Sequence, residues 1–350
     1  MGFEQAGFDV VWTNEIHPLI ARMYYHGMTS WRQSLGLAPK ECRITQVADI
    51  RLLHSSKVLH EAFPKEQPAI FGVVGGSPCP DFSVAGLNRG ESGDHGQLTK
   101  TFVNIIRKIK PSFFLLENVP GLFRTAAHRK FLVRVERWLE KAGYNIDRNL
   151  LNALEYGVPQ DRQRLFLVGI RKGLVKEKLG RKVSYGARGW FHWPSPKYPN
   201  AKVAYAWPDI VRKGETPSLP EGVPLELTVG HFLNGNNSPA LYSNSREYFK
   251  PYSKKFLTTL EGATRQKSFK RLHRHRYSPA ACYGNNEVHL HPWKNRRLSV
   301  REVLRIQGVP DSYVVPEDIP LSRKFKTIAN GVPVPLAYEV AAAIRRFLNS

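Results

Sequence analysis

Two short stretches of the sequence place reactive side chains directly after apolar runs. Cys79 follows the run Ala69 to Val74, after Gly75-Gly76 and between two prolines. A cysteine thiolate is a strong nucleophile when nearby positive charge lowers its pKa. Glu117 follows a second apolar run, where partial burial would raise its carboxyl pKa and suit it to proton donation. Nucleophilic attack by Cys79 assisted by Glu117 is therefore one chemistry that these residues could perform.

Further polar groups could complete such a site. Arg162 and Arg164 alternate in an extended stretch, so their side chains point to the same side. Two guanidinium groups there could bind a carbonyl or phosphate, or lower a thiol pKa. Glu15 ends another predicted strand, where a carboxylate can accept the ribose hydroxyls of a nucleoside-bearing cofactor. Each residue alone is also compatible with a buried thiol, a surface charge or a helix cap.

The elements that position these residues alternate between strands and helices. The patterns predict a first strand that begins at Phe8 and ends at Asn14-Glu15, further strands over 69–74, 112–116, 145–153 and 164–170, and helices over 18–26, 98–110, 130–142 and 335–348. Ser299 with Glu302 three residues later predicts a capping box at the start of another helix. We expect an α/β fold with a mostly parallel sheet that is covered by helices on both faces.

The middle of the chain is strongly basic. The protein has a formal net charge of +23 over 350 residues, and positions 171–294 hold 22 Lys and Arg against 8 Asp and Glu. Such an excess favours a polyanionic partner, most often nucleic acid, over a merely solvated surface. Aromatic residues interleaved with these charges strengthen that interpretation: Trp190, Phe191, Trp193, Tyr198, Tyr205 and Trp207.

Other classes of protein are disfavoured. The sequence has no apolar run of about 18 residues and no signal peptide, so we expect no membrane attachment. Three widely spaced cysteines suit the reducing cytoplasm. A zinc site is weighed against a plain basic surface because histidines cluster near Cys282, but their His-x-His spacing fits poorly. We therefore expect no metal. The histidines concerned are His273, His275, His289 and His291.

Five motifs occur in a fixed order along the chain: Ser77-Pro-Cys79, Glu117-Asn-Val119, Gln160-Asp-Arg-Gln-Arg164, Arg297 to Gly308, and Ile328 to Pro335. This set resembles the DNA (cytosine-5) methyltransferase family over nearly the whole chain. The resemblance implies a Rossmann-like S-adenosylmethionine-dependent methyltransferase sheet and a smaller, mostly irregular or β target recognition domain. The implied domains are a catalytic domain over 1–170, the recognition domain over 171–296, and a return to the catalytic domain over 297–350.

The resemblance also implies a mechanism. Cytosine flips out of the duplex, Cys79 adds to ring carbon six, and Glu117 bonds the side of the base that bears ring nitrogen three and the exocyclic amine. Arg164 would hold the base carbonyl, and Arg162 would help set the loop and the field at the thiolate. The methyl group of S-adenosylmethionine goes to carbon five. The implied cofactor residues are Asn14, Glu15, Ile16, Asp49, Ile50, Pro78, Leu98, Asn330 and Gly331.

Some positions depart from the family pattern. Ser77 and Pro80 replace residues that are usual on either side of the cysteine motif, which leaves the nucleophile intact. The sequence starts at Met1, inside the helix expected after a Gly-rich cofactor loop, so we expect a chain truncated before that loop. This leaves a non-catalytic DNA-binding remnant as the alternative function, and RNA methylation as a third. Expected partners are double-stranded DNA and a cognate restriction endonuclease, for a monomer in the bacterial cytoplasm.

Overall fold

The structure, a computed structural model, describes residues 1–37, 45–76, 94–233, 241–281 and 288–350, with the backbone alone for residues 45 and 94–96. The strands are β1 (Thr13–Glu15), β2 (Thr45–Val47), β3 (Gly72–Gly76), β4 (Phe113–Asn118), β5 (Tyr144–Asn152), β6 (Gln160–Asp161), β7 (Gln163–Arg171), β8 (Lys270–Arg271), β9 (Ser278–Pro279) and β10 (His289–Leu290). The helices are α1 (Gly2–Gln5), α2 (Pro18–Ser34), α3 (Ser55–Ala62), α4 (Asp94–Ile109), α5 (Gly121–Arg124), α6 (Ala126–Lys141), α7 (Lys172–Leu179), α8 (Ala201–Ala204), α9 (Val229–Leu233), α10 (Lys255–Thr258), α11 (Val300–Ile306), α12 (Leu321–Asn330) and α13 (Val334–Asn349).

The main sheet has the strand order β3-β4-β7-β5. The pair β3 and β4 is parallel, whereas β7 runs antiparallel to both β4 and β5. The expectation of a mostly parallel sheet is therefore wrong for these four strands. The reason is local: only residues 153–162 connect β5 to β7, too few for the helical crossover that parallel neighbours need. A separate pair, β1 and β2, is parallel.

Helices cover both faces of the main sheet, as the sequence predicts. Successive side chains of a strand point to opposite faces, and in β4 the side chains of Phe114 and Leu116 pack with helices α4 and α6. The side chains of Phe113 and Leu115 instead pack with α13. The hydrophobic runs of these strands are thus explained by burial on both sides.

Two aromatic residues of the basic stretch belong to this core. Trp190 and Phe191 are buried against α13, in the same cluster as β4 and β7. The Trp190 indole donates to the Ile146 carbonyl at 3.0 Å, and the Phe191 amide donates to Asp147 at 3.1 Å. The interpretation of these two rings as part of a nucleic-acid surface is therefore wrong. Trp190 and Phe191 lie in a basic stretch of the sequence, so nothing in the sequence pattern indicated that they pack in the core.

The local signals for individual elements were mostly accurate. The capping box is confirmed, because Ser299 Oγ accepts from the Glu302 amide and Glu302 accepts from the Ser299 amide. Helix α2 is longer than predicted and continues to Ser34. The first strand begins later than predicted, at Thr13 rather than Phe8, and ends at Glu15 as predicted. The described residues of 171–296 form short helices and two-residue strands, which confirms that this stretch is mostly irregular.

Among the described residues, one helical stretch, Leu321–Asn349, is long and apolar enough to pass for a membrane span by length and composition. It comprises two helices, α12 and α13, and half of its apolar window is buried inside the protein. Leu336, Val340 and Ile344 of α13 lie in the core against the main sheet. The apolar composition of α13 is therefore accounted for by packing.

Candidate active site

The end of β4 carries a partly buried ion pair. Glu117 Oε1 lies 2.9 Å from Arg164 Nε, and the two side chains are only 16% and 13% exposed. Burial raises the pKa of the Glu117 carboxyl, while the nearby guanidinium groups of Arg164 and Arg162 oppose that rise. Desolvation dominates, so Glu117 retains a proton at higher pH than an ordinary glutamate does. This arrangement suits a carboxyl group that donates a proton.

Strand β3 brings a glycine directly beside this carboxyl. Gly76 pairs with Glu117 in the parallel register of β3 and β4. A Cβ atom on Gly76 would lie 2.9 Å from Glu117 Oε2, so a side chain here would displace the carboxylate. The sequence placed Gly75-Gly76 before Cys79 but did not identify this contact with Glu117. The repeated glycine at a strand end was the available clue, since glycine within a strand often marks a close approach.

Cys79 and Pro78 lie outside the described residues, as do Cys42 and Cys282. Cys79 follows Gly76 by three residues, so chain connectivity limits the separation of their Cα atoms to about 11 Å. The chain therefore leaves β3 beside Glu117 immediately before the predicted nucleophile. The assignment of Cys79 stays a prediction from its sequence motif.

Arg162 lies between β6 and β7 and is 1% exposed. Its Nη1 donates to the Ala281 carbonyl at 3.0 Å, and its Nη2 donates to the Ala329 carbonyl. Its charge also lowers the pKa of Glu117, after the larger effect of Arg164. Arg162 is thus held mainly by backbone carbonyls of two distant segments, which sequence reasoning did not anticipate.

The predicted nucleoside-binding residues meet at the ends of the parallel strands β1 and β2. Glu15 ends β1, and Asp49 follows β2 by two residues. Glu15 Oε1 accepts the His17 amide at 2.9 Å, which fixes the carboxylate at the start of α2. Ile16 beside it is 59% exposed, and Ile50 is partly buried. The edge therefore combines a fixed carboxylate with accessible apolar surface.

Asp49 has a partner that sequence reasoning missed. Its carboxylate accepts from the Arg51 amide at 2.9 Å and from the Arg51 guanidinium. These hydrogen bonds lower the pKa of Asp49, with the guanidinium as the largest cause. The pair Asp49 and Arg51, two residues apart, was visible in the sequence. Any ligand that uses the Asp49 carboxylate shares it with Arg51.

The remaining predicted cofactor residues differ in exposure. Asn14 donates to the carbonyls of Gln46 and Ala48, both at 2.9 Å, and so ties β1 to the segment after β2. Leu98 is half-buried on α4. Asn330 ends α12 and is exposed, as is Gly331 after it. Asn330 directly follows Ala329, whose carbonyl Arg162 holds.

A comparison of the chain with known proteins gives its family. The model of the C-5 cytosine-specific DNA methylase family matches residues 1–346. The chain belongs to this family. It is 39% identical to the type II methyltransferase M.NmeDI of Neisseria meningitidis serogroup C, with all of this chain and 81% of that protein covered. It is 31% identical to M.NgoPII of Neisseria gonorrhoeae, with all of this chain and 92% of that protein covered.

Solved structures agree on the fold. A chain described as a DNA modification methyltransferase encoded within a prophage of E. coli superposes with a TM-score of 0.64 at 23% identity, covering 100% of this chain and 95% of that one. The S. pombe Dnmt2 methyltransferase superposes with a TM-score of 0.59 at 13% identity, covering 99% and 94%. The protein is thus a DNA cytosine methyltransferase with the Rossmann-like fold of these enzymes.

In this methylase the described part of the basic region is ordered by arginines. Arg271 is buried and donates to the carbonyls of Thr259 at 2.7 Å, His291 at 2.7 Å, Lys294 at 2.9 Å and Phe256. These bonds anchor the turn that carries α10 and the exposed Leu257. Arginines also lie over aromatic rings: Arg274 over Trp293, Arg296 over Tyr248 and Arg297 over Phe249. The surface beside α10 is therefore both basic and well fixed.

Two of the histidines considered for zinc, His273 and His291, have backbone partners. His273 Nδ1 accepts the His275 amide at 2.9 Å, and His291 Nδ1 accepts the amides of Trp293 and Lys294. Burial lowers the pKa of His273 to about 4 and that of His291 to about 3, so both are neutral near pH 7. Within the described residues no three metal-binding side chains cluster.

Proposed function

We propose that this methylase transfers a methyl group from S-adenosylmethionine to carbon 5 of a cytosine flipped out of a specific duplex sequence, through a covalent Cys79–cytosine adduct. The observation that carries the proposal is the partly buried pair of Glu117 and Arg164 opposite Gly76, three residues before the cysteine. The target cytosine must be protonated at one edge and held at another. A carboxyl group with a raised pKa beside a guanidinium group suits these two tasks.

Each side chain then has a defined task. The Cys79 thiolate forms a bond to ring carbon six, and Glu117 donates a proton to ring nitrogen three, which absorbs the charge of the addition. Arg164 holds the base carbonyl while it pairs with Glu117. Carbon five, made electron-rich, receives the methyl group. The carbon-five proton is then lost to water, the Cys79 thiolate is expelled, and the proton on ring nitrogen three returns to the Glu117 carboxylate, which leaves 5-methylcytosine with S-adenosylhomocysteine as the other product. Arg162 adds positive charge near the site.

The polar and apolar groups at the ends of β1 and β2 support the proposal that S-adenosylmethionine binds there. S-adenosylmethionine, when bound, supplies an electrophilic methyl group. Glu15 would accept the ribose hydroxyls, because a carboxylate has acceptor sites beyond the one that the His17 amide uses. Asp49 and Ile50 would contact the adenine beside the exposed Ile16. Asn14 would fix this edge. Pro78, Leu98, Asn330 and Gly331 would line the remainder of the cofactor.

The partners follow from charge and from the relatives. The net charge of +23 supports binding of double-stranded DNA, with the basic surface beside α10 contacting phosphates. The similar Neisseria proteins are type II methyltransferases of restriction–modification systems, which supports a cognate restriction endonuclease for the same site. A cytoplasmic monomer is proposed, in keeping with that biology.

A mechanism-based substrate tests the central claim. DNA from cells that express the protein is first sequenced for 5-methylcytosine to define the target. A duplex of that sequence with 5-fluorocytosine at the target should trap a covalent complex, since carbon five then has no proton to lose. Intact mass spectrometry should show protein plus DNA strand plus one methyl group. The Cys79→Ser variant should form no complex yet bind the duplex, whereas Cys282→Ser should react normally.

Other results would redirect the proposal. DNA binding without any S-adenosylmethionine binding in calorimetry would favour a DNA-binding remnant. Methyl transfer to tRNA but not to duplex DNA would favour RNA methylation. A covalent complex that persists in Cys79→Ser would refute the assignment of the nucleophile.

A further inference from the structure

The buried guanidinium of Arg162 joins three parts of the molecule. Its main chain is fixed at the end of β5, because its amide donates to Asn152 Oδ1 at 3.0 Å and its carbonyl accepts from the Ala153 amide at 3.0 Å. Its side chain reaches Ala281 in the basic region and Ala329 near the end of α12. Helix α12 also contacts the basic region directly, about one turn before Ala329, through Lys324 with Glu247 and Phe325 with Phe249.

The contact with the basic region is reinforced on both sides. Strand β6 pairs with β9 in parallel, and the Ser278 amide donates to the Pro159 carbonyl at 2.8 Å. Gln160, which is fully buried, accepts the Ala281 amide at 3.2 Å, while Arg162 binds the carbonyl of the same residue. A shift of the segment 278–281 therefore acts directly on Arg162.

The contact with α12 lies next to the predicted cofactor residues. Arg162 holds the carbonyl of Ala329, one residue before Asn330 and two before Gly331. The neighbouring Ile328 carbonyl accepts from Gln307 Nε2 at 3.1 Å, so the end of the helix is held from two directions. The planar fork of an arginine fixes the relative position of two acceptors, which a lysine ammonium on a flexible stem does not.

We propose that Arg162 is a positioning residue that couples DNA binding to cofactor binding. DNA that engages the basic region shifts the segment 278–281, and Arg162 transmits this shift to Ala329 and the exposed Asn330 and Gly331. Coupling between two ligands is reciprocal, so the cofactor must strengthen DNA binding by the same factor. This inference rests on the proposed function, because it needs both ligands.

The test measures affinities rather than activity. Calorimetry gives the Kd of S-adenosylhomocysteine for the whole protein, alone and with the target duplex present. We expect the duplex to tighten S-adenosylhomocysteine binding of the unaltered protein by about 10-fold, within the usual range of such coupling. In Arg162→Lys the ratio of the two Kd values should fall to about 2-fold or less. Gln160→Leu, which releases the Ala281 amide, should reduce the same ratio and serves if Arg162→Lys folds poorly.

Arg301→Lys is the matched control. Arg301, on α11, is also fully buried and donates to the carbonyls of Ser243 in the basic region, Pro310 and Tyr313, rather than to Ala281 or Ala329. This variant should lose thermal stability and keep the coupling ratio. An unaltered ratio in Arg162→Lys, an equal loss in Arg301→Lys, or no coupling in the unaltered protein would each overturn the proposal. If the unaltered protein bound neither ligand, the proposed function itself would fail as well.

Discussion

The two halves of the candidate site are built very differently. The half that would attack the base is embedded in the main sheet, where Glu117 and Arg164 are paired on adjacent strands with side chains 16% and 13% exposed. The half that would hold the cofactor rests on the two short strands β1 and β2, beside the exposed Ile16. The first half is fixed by strands with helices on both faces, and the second by a few local hydrogen bonds.

This difference has a physical consequence. A preorganised charge pair in a dry site stabilises charge in a transition state without rearranging, so it affects the rate of the chemical step. Contacts between the cofactor and an exposed edge are about equally strong in the ground state and in the transition state. They therefore affect KM rather than kcat. Mutations in the two halves should therefore separate into kcat effects and KM effects.

The largest effect is expected for Arg164→Met. The substitution removes the charge that pairs with the partly buried Glu117 and the donor proposed for the base carbonyl. We expect kcat to fall by about 100-fold to 1,000-fold, as for loss of an oxyanion-hole donor. Single-turnover methyl transfer measures this loss. An equal rise in Kd for the duplex, with kcat retained, would show that Arg164 serves DNA binding instead.

The pH dependence of the single-turnover rate tests the role of Glu117, the partner of Arg164. Burial raises the pKa of Glu117, so the protonated form that donates to the base persists to higher pH than usual. The single-turnover rate should decline on the alkaline side as Glu117 loses its proton, and this limb should vanish in Glu117→Gln at a much lower overall rate. An unchanged alkaline limb in Glu117→Gln would assign it to another group.

A feature of this site could be predicted from the sequence when the residues that determine it lie close together along the chain. The capping box of Ser299 and Glu302 follows from residues three apart and was predicted correctly. The carbonyl partners of Arg162 lie 119 and 167 positions along the chain, and no local rule identifies them. Strand β7 was predicted, over 164–170, but its antiparallel direction was missed, because the short connection after β5, not the strand itself, determines that direction.

A smaller effect is expected for Gly76→Ala. The added Cβ would lie 2.9 Å from Glu117 Oε2, the mobile end of a side chain, so the carboxylate moves and the sheet is preserved. We expect kcat to fall by about 10-fold, because a misplaced catalytic group loses rate steeply. Thermal stability should change by less than about 1 kcal/mol. Gly173→Ala on α7 is the control, since its Cβ would meet no atom within 4 Å.

Substitutions in the half of the site that would hold the cofactor should change KM for S-adenosylmethionine. Glu15→Gln keeps an acceptor for the His17 amide but removes the charge proposed for the ribose hydroxyls. We expect KM for S-adenosylmethionine to rise by about 10-fold, equivalent to about 1.4 kcal/mol, with kcat within about 2-fold. Initial rates at varied cofactor and saturating duplex give both constants. A fall in kcat without a rise in KM would place Glu15 with the chemical step and remove the contrast between the halves.

The smallest effect is expected for Asn14→Ala, which tests whether the cofactor edge depends on its local ties. Asn14 contributes two hydrogen bonds, to the carbonyls of Gln46 and Ala48, and each contributes about 1 kcal/mol at a partly exposed position. Their loss should loosen β2 while leaving the main sheet intact, because the two sheets are separate. Hydrogen exchange should therefore quicken at Gln46 and Val47 but not at Leu115 or Leu167. KM for the cofactor should rise by about 3-fold, since an edge that is ordered less often binds in proportion to its ordered fraction. The exposed Asn349→Ala should change neither quantity, and equal quickening across both sheets would mean that the two halves of the site are one cooperative unit.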